Sequence, residues 1–368
     1  MQRVDLKLPG WWAGIGLAVL VSIVANYGAE WLGVDVLSFE SSPISAIMVA
    51  IIIGMLIRNT LPVPQSWQTG LSFCATNILR LGIILLGIRL SLTGAGQFAL
   101  LALPFVVCAI AVGLIAVGIL GKTLGLSRQL AGLIAIGTSI CGCTAIVAAA
   151  PLIKAHEAEV SYAVACVAVF GIIAMFFYPL LAHTFFTTQP ELAGLFLGTS
   201  IHDTSQVAGA GMMYEAQYNA PVALDIATVT KLVRNLCMIA VIPLIGVLYG
   251  SERGANESGR INWLAIFPWF IIGFALMATL RSVGDMSDTP FGVLDPSDWH
   301  RIVGYIQHAA EYCLLVAMSA VGLTTVFAVI IGIGMRPFVL GLLAALLVGG
   351  ASFTLIILFG ETLLNALV

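Results

Sequence analysis

Apolar stretches of about twenty residues recur along the whole sequence and restrict the folds open to it. A helix needs roughly 20 apolar residues to cross a bilayer. Nine uninterrupted stretches approach this length: 11–28, 43–58, 70–90, 99–121, 160–182, 223–249, 261–280, 302–333 and 337–360. Two more, 128–153 and 190–213, are long enough but contain polar interruptions. Only 9% of the residues are charged, whereas about 25% is usual in soluble domains. The sequence therefore predicts an all-α polytopic membrane protein with about 11 hydrophobic segments.

The cations outside these segments predict the orientation of the chain. If the spans simply alternate, one side receives Arg3, Lys7, Arg58, Lys122, Arg128, Arg253, Arg260 and Arg336. The other side receives Glu30, Asp35, Glu40, Asp285, Asp288, Asp295 and Asp298. Because cytoplasmic loops are enriched in lysine and arginine, we expect a cytoplasmic N-terminus. Residues 1–28 also have the form of a cleaved signal peptide, but the apolar segments that follow favour an uncleaved first span. Lys154 and His156 join the cationic side only if 128–153 enters and returns as a hairpin.

The two interrupted segments share a polar tetrad. GTSICGCTAIVAAAP occupies 137–151 and GTSIHDTSQVAGAGM occupies 198–212. Non-helical backbone at membrane depth persists only where protein buries it or where it lines a wet cavity. Paired interrupted segments also point to the substrate site of a transporter. We therefore predict two broken or re-entrant elements that approach each other. Close helix packing by small residues is the alternative reading of each tetrad.

Candidate binding residues follow from these breaks. Glycine supplies backbone freedom, the hydroxyls can satisfy freed backbone groups or a ligand, and helix N-termini favour anions. The candidates in the first copy are Thr138, Ser139, Cys141 and Gly142, and those in the second are Thr199, Ser200, His202, Asp203 and Gln206. Cys141 and Cys143 have the form of a metal or redox pair, but the absence of further ligands nearby favours simple packing.

Two cations lie inside the apolar segment 223–249. Lys231 and Arg234 are three residues apart and share a helix face. Buried cations are costly unless an acid, a cavity or an anionic ligand meets them. We predict that they neutralise an anion held between the two breaks. The alternatives are that they snorkel to an interface or form a structural pair with Asp203 or Asp225.

A weaker internal similarity connects 87–107 with 322–343. Both contain a glycine, a threonine-bearing connection and a span that opens with Pro-Phe. The two copies run in opposite directions in the predicted topology, which is typical of inverted repeats. We predict a single transporter domain over 1–368 with repeats at about 43–153 and 190–360. The segment 320–325 is a candidate third break, which would then pair with 137–144.

The combination of GTSICGCTA, GTSIHDTSQVAGAG, KLVRN and AMSAVGLTT resembles the YeiH-like conserved hypothetical bacterial membrane proteins. That family is named for sulfate export, and the resemblance covers about 40–360. It implies an inner-membrane secondary transporter of sulfur oxyanions, related in some members to carriers with broken helices.

We therefore expect a secondary transporter, in the export direction, for sulfate, sulfite or a sulfonate. His202 and Asp203 are the predicted coupling pair, with a proton or sodium as coupling ion. The alternative is an anion channel or a membrane-embedded ligand-binding sensor. No nucleotide-binding loop or catalytic motif is legible, so we expect no enzyme, no cofactor and no resident metal. Besides the lipid bilayer we expect a homodimer and no nucleic-acid partner.

Overall fold

The computed structural model describes residues 9–36, 45–250, 267–287, 289–326, 328 and 334–365. Within these ranges all regular elements are helical, which confirms the predicted all-α fold. Arg3, Lys7, Glu40, Arg253, Arg260 and Asp288, which entered the predicted orientation, lie outside the described residues. The segments predicted at 261–280 and 302–333 are described in part.

The helices alternate between long apolar rods and short segments that meet at interruptions. They are α1 (Pro9–Glu30), α2 (Ala46–Thr60), α3 (Gln68–Phe73), α4 (Leu79–Leu86), α5 (Leu92–Thr123), α6 (Arg128–Ser139), α7 (Cys143–Ala149), α8 (Glu157–Phe186), α9 (Pro190–Ser200), α10 (Thr204–Tyr218), α11 (Pro221–Leu236), α12 (Met238–Gly250), α13 (Phe270–Gly284), α14 (Pro296–Thr324) and α15 (Met335–Asn365). Short 3₁₀ and π turns join α3 and α4 into one rod.

Several of these rods are long and apolar enough to cross a membrane. In the described part of the chain seven qualify: Gly10–Glu30, Gln65–Arg89, Leu92–Thr123, Glu157–Phe186, Pro221–Tyr249, Pro296–Thr324 and Met335–Thr362. Two shorter apolar helices are Ala46–Thr60 and Phe270–Gly284. These helices coincide with the nine uninterrupted segments of the sequence. The chain is a multi-pass membrane protein, and the total of 11 segments stays a prediction.

The described residues fall into two compact units. The first lies within Met1–Ala95, Met212–Pro221 and Phe270–Phe327, and the second within Gly96–Gly211, Val222–Trp269 and Ala328–Val368. The predicted inverted repeats stay a prediction.

The segment 320–325 belongs to the first unit. Residues up to Thr324 form the last turn of α14, and Thr325 is its C-cap with an extended backbone. A Cβ atom on Gly322 would lie 3.1 Å from the Cα atom of Gly54 in α2. This glycine therefore serves close helix packing, and the segment is the end of a helix within the residues described there.

The first interrupted segment of the second unit is a hairpin. The Ser127 hydroxyl caps α6 and also donates to Glu159 in the first turn of α8. The starts of α6 and α8 therefore lie together, at what we call the Ser127 end. Because α6 leaves this end and α8 begins there, α7 and the turn after it must bring the chain back. We call α6 and α7 hairpin 1.

The second interrupted segment is also a hairpin, and it begins at the opposite end of α8. Gln189 precedes α9, and Gly194 of α9 packs against the Ala223 backbone near the start of α11. Gly211 of α10 packs against Leu224 of α11, so α10 returns the chain to the end from which α9 came. We call this the Gln189 end, and α9 with α10 hairpin 2. Helices α11 and α12 then run to the Ser127 end, where the Tyr249 hydroxyl donates to the Arg128 carbonyl at 3.1 Å.

Both interrupted segments are thus re-entrant, from opposite ends of the unit, and neither is a crossing helix. This geometry settles the placement of Lys154 and His156, which follow hairpin 1 at the Ser127 end. Lys122, Arg128 and Arg336 lie at the same end, since a Cβ atom on Gly125 would lie 3.7 Å from an Arg336 guanidinium nitrogen. Lys122, Arg128, Lys154 and Arg336, the described loop cations named here, therefore collect at one end, as the alternating topology predicts.

Candidate functional site

Each hairpin is interrupted at the last residue of its GTSI tetrad. Helix α6 ends at Ser139, and α7 begins after Gly142, which has φ 66° and ψ −130°. Helix α9 ends at Ser200, and α10 begins at Thr204. The predicted interruptions are confirmed at 140–142 and 201–203. The residues of both tips are buried inside the second unit except for Asp203, which is half-buried.

Two helices that end in a buried interior leave carbonyl groups without helical partners. The last four C=O groups of an α-helix lack intrahelical donors, and an unsatisfied buried polar group costs about 1–3 kcal/mol. Water is scarce at such a depth, so side chains must supply the donors. Both hairpin tips therefore require buried donors close to their helix C-termini.

Lys231 of α11 supplies three of these donors. Its ammonium donates to the Ile140 carbonyl at 2.9 Å and the Ile201 carbonyl at 3.1 Å, and also to the His202 carbonyl. An ammonium group has three hydrogens, so all of them are engaged. The side chain is 1% exposed.

Arg234 bridges the same two tips one helical turn later. Its Nε donates to the Ser139 carbonyl at 2.7 Å and its Nη2 to the Thr138 carbonyl at 2.5 Å, both in hairpin 1. Its Nη1 donates to Thr199 at 2.8 Å and to Ile201 at 3.0 Å, both in hairpin 2. The guanidinium is completely buried, and its planar fork suits several acceptors at once.

The sequence predicts that these two cations contact an anion. In the structure their N–H groups donate hydrogen bonds to backbone carbonyls. Both side chains are buried, which excludes the alternative that they snorkel to an interface, and a structural pair with Asp203 or Asp225 stays a prediction. Positive charge also complements the C-terminal end of a helix dipole. An anion at the tips would therefore experience the charge of Lys231 and Arg234 without displacing those bonds.

The hydroxyl groups of the two tetrads have matching surroundings. Thr138 donates to the Ile134 carbonyl at 2.8 Å, and Thr199 donates to the Leu195 carbonyl at 2.8 Å. Each threonine thus satisfies its own helix, which was one of the two predicted roles. The hydroxyls of Ser139 and Ser200 are buried and have no hydrogen-bond partner. The Ser139 hydroxyl packs against Gly113 of α5, where an added Cβ atom would lie 2.2 Å from it.

Asp203 caps the start of α10, and Gln206 holds Asp203 in place. One Asp203 carboxylate oxygen, Oδ1, accepts from the Ser205 N–H at 2.9 Å and the Ser205 hydroxyl at 2.6 Å. The Gln206 side chain accepts from the Asp203 N–H at 3.2 Å and donates to the Ala168 carbonyl of α8 at 3.1 Å. A side-chain oxygen that accepts from an N–H of the first turn stabilises the N-terminus of a helix. Gln206 therefore positions Asp203.

The two tips meet at His202, Asp203 and Gly142. The His202 Nδ1 lies 3.0 Å from the Thr138 carbonyl of hairpin 1, so Nδ1 carries the hydrogen of this bond. Its Nε2 is buried without a partner. The second carboxylate oxygen of Asp203, Oδ2, faces Gly142, because a Cβ atom there would lie 2.7 Å from it. The predicted pair His202 and Asp203 thus lies where both hairpins end.

Two further contacts lie at the site. One involves the predicted thiol of Cys141, and the other involves Asn235, which the sequence analysis did not single out. Cys141 contacts Met238 of α12 through sulfur, which fits the packing role considered for it. Asn235 of α11 donates to the Thr204 hydroxyl at 3.1 Å. Asn235 had no predicted role, although it lies four residues after Lys231 and therefore shares the helix face of that cation.

We expect Gly142→Ala to disrupt the meeting point of the tips. Its positive φ is strained for a residue with a side chain, at a cost on the order of 1–3 kcal/mol, and the new methyl group would press on Asp203. The Tm of the purified protein should fall by several degrees. The matched control is Gly118→Ala in α5, where nothing lies within 4 Å of the added atom. An equal Tm in both variants would contradict this role.

Comparison with known sequences places this site in a family. The sequence model described as "Conserved hypothetical protein 698" matches residues 13–341. A UPF0324 membrane protein of Bacillus anthracis is 32% identical over 351 residues, covering 95% of this chain and 96% of the relative. Similar proteins occur in Oceanobacillus iheyensis, at 30% identity with 98% and 99% coverage, and in Bacteroides thetaiotaomicron, at 33% with 92% and 96%. The chain belongs to the family of conserved hypothetical protein 698, the UPF0324 membrane proteins.

Proposed function

We propose that this membrane protein is a secondary transporter of a small anion, such as sulfate, sulfite or a sulfonate. The observation that carries the proposal is the pair of re-entrant hairpins that enter from opposite ends and meet at their tips. Irregular backbone inside a membrane protein is tolerated where it is buried in protein or lines a cavity. Paired broken elements of opposite direction are the arrangement in which secondary transporters bind substrate.

The charge at the tips favours an anion. Each hairpin contributes both a helix C-terminus and a helix N-terminus, whose half-charges of about 0.5 have opposite sign and largely cancel. The formal charges that remain are those of Lys231, Arg234 and Asp203. The balance is about one positive charge with Asp203 ionised and about two with Asp203 protonated. The unpartnered hydroxyls of Ser139 and Ser200 can hydrogen-bond an oxyanion.

This balance also gives a physical basis for coupling. Protonation of Asp203 makes the tips more positive, so proton and anion favour each other's binding. His202 lies at the same place, with its Nδ1 donating to the Thr138 carbonyl and its Nε2 buried without a partner. We assign these two residues the coupling role. The same proposal includes a homodimer, transport in the export direction, and a function without catalysis or a cofactor.

The proposed location is the bacterial inner membrane, with the N-terminus in the cytoplasm. The support is the cationic Ser127 end of the second unit, where Lys122, Arg128, Lys154 and Arg336 collect. Cytoplasmic loops are enriched in such residues. Labelling of single cysteines introduced at Lys154 and at Gln189 by an impermeant reagent in intact cells tests this, and only the Gln189 position should react.

A thermal-stability screen tests the substrate class. A ligand that binds only the folded state raises the apparent stability by mass action, by about 2.7 kcal/mol at a hundredfold excess over its Kd. We expect sulfate, sulfite or taurine to raise the Tm of the purified protein in a saturable manner, with carboxylates as competing candidates. The control is chloride at equal ionic strength. A response to none of the sulfur anions would remove the substrate assignment.

An anion channel or a membrane-embedded sensor is the second candidate function. The same buried tips could bind an anion without moving it between the two sides. Flux measurements in proteoliposomes distinguish the cases. Saturable accumulation driven by an ion gradient supports the transporter, whereas conductance without coupling supports a channel and binding without flux supports a sensor.

A further inference from the structure

The Lys231 ammonium is surrounded in the way that a bound monovalent cation would be. Its three acceptors are the carbonyls of Ile140, Ile201 and His202. One carbonyl comes from hairpin 1 and two come from hairpin 2. Rings of backbone carbonyls are the ligands that proteins use to replace the hydration shell of a monovalent cation. Here the three carbonyls converge on the ammonium group of Lys231, which is part of the chain.

The origin of this cage is the termination of two helices at one buried point. Helix α6 and helix α9 each direct their C-terminal carbonyls, and the negative end of their dipoles, toward α11. Such a point requires a positive charge. A dissolved sodium ion could provide it with oxygen ligands, but Lys231 provides it permanently because its side chain is tethered and 1% exposed.

We propose that Lys231 is a tethered counter-ion that fills a monovalent-cation site between the hairpin tips, so that this chain needs no sodium ion there. The inference concerns the coupling ion and therefore rests on the proposed transport function. Its test uses protein stability instead of flux, so that either idea can fail without the other. It leaves the proton at Asp203 and His202 as the coupling ion.

Lys231→Ala should open the cage and make the protein dependent on an added cation. The three carbonyls lose their donor, and we expect the Tm to fall on the order of 5–10 °C. n-Propylammonium has the same atoms as the fragment removed from Cγ to Nζ. Purification and unfolding in n-propylammonium chloride should restore at least half of the loss, and sodium or potassium should restore part of it.

Matched controls separate this rescue from general salt effects. n-Propanol has nearly the same shape without charge, and tetramethylammonium has the charge without N–H donors, so neither should rescue the variant. Lys231→Met fills the space with an uncharged chain and should lose stability without rescue by any cation. The parent protein should show equal Tm values in sodium and choline chloride.

Two results would overturn the proposal. One is a folded Lys231→Ala protein whose Tm responds to n-propylammonium, sodium and potassium no more than the parent does. The other is a saturable, sodium-specific rise in the Tm of the parent that Asp203→Asn removes, since sodium would then bind at the tips despite Lys231. The second measurement also decides the matter if Lys231→Ala fails to fold in every salt.

Discussion

Asp203→Asn is expected to abolish gradient-driven accumulation of the anion in proteoliposomes while leaving the protein folded. Asparagine keeps an Oδ1 acceptor for the Ser205 N–H and hydroxyl, which lie 2.9 and 2.6 Å from the aspartate oxygen. The helix cap and the bond from the Asp203 N–H to Gln206 should therefore survive. The variant loses the negative charge of the carboxylate and, with it, the ability to take up a proton. We expect accumulation to fall by tenfold or more, to the level set by passive exchange.

Binding measurements on the same variant identify the reason for this loss. The tips of Asp203→Asn have the charge of the protonated parent, so the anion should still raise the Tm, and this effect should no longer depend on pH. The matched control is Asp298→Asn, a half-exposed carboxylate in the first turn of α14, which should behave like the parent. Accumulation equal to that of the parent with the same pH profile would make Asp203 a purely structural cap.

The sequence alone predicts where the two hairpins are interrupted, because the cause of the interruption is local. Gly142 has a backbone conformation that only glycine adopts readily, and the GTSI tetrads place small polar residues at both helix ends. The Asp-x-x-Gln pattern at 203–206 is also a local capping signal. A reader of the sequence could have assigned Gln206 to the cap instead of to the ligand.

The direction of the hairpins depends on contacts between distant residues. Ser127 and Glu159 show that hairpin 1 returns to its starting end, and Gly211 and Leu224 show the same for hairpin 2. No periodicity or composition reports these pairings. Segments 128–153 and 190–213 are both long enough to cross a bilayer. Their length therefore does not distinguish a crossing element from a re-entrant one.

The surroundings of the buried cations were predictable in part. The sequence singles out Lys231 and Arg234 as unusual, with an anion, a cavity, an interface or an acid as their partner. Two helices that end inside the protein each present carbonyls without donors. Counting those carbonyls would have identified the backbone as a further acceptor, and the anion stays a prediction.

Arg234→Met is expected to cause the largest loss of stability among the variants considered. The guanidinium donates to four carbonyls, two in each hairpin. At about 1–3 kcal/mol for each unsatisfied buried group, the loss is on the order of 4 kcal/mol or more. Total stabilities are about 5–15 kcal/mol, so most of the protein should be unfolded or aggregated during purification. The measurement is the yield of monodisperse protein and its Tm in detergent.

Two matched variants separate the contribution of donor geometry from that of charge. Arg234→Lys keeps the charge but offers three donors from one point, which cannot span four carbonyls on two hairpins, so its Tm should lie between those of Arg234→Met and the parent. Lys122→Met removes an exposed cation near the end of α5 and should change stability by less than about 0.5 kcal/mol. If Arg234→Met instead keeps the Tm of the parent and loses only the rise in Tm caused by sulfate or sulfite, the guanidinium binds the anion directly. The carbonyl bonds would then belong to the empty site alone, and substrate binding would have to exchange them for bonds to the oxyanion.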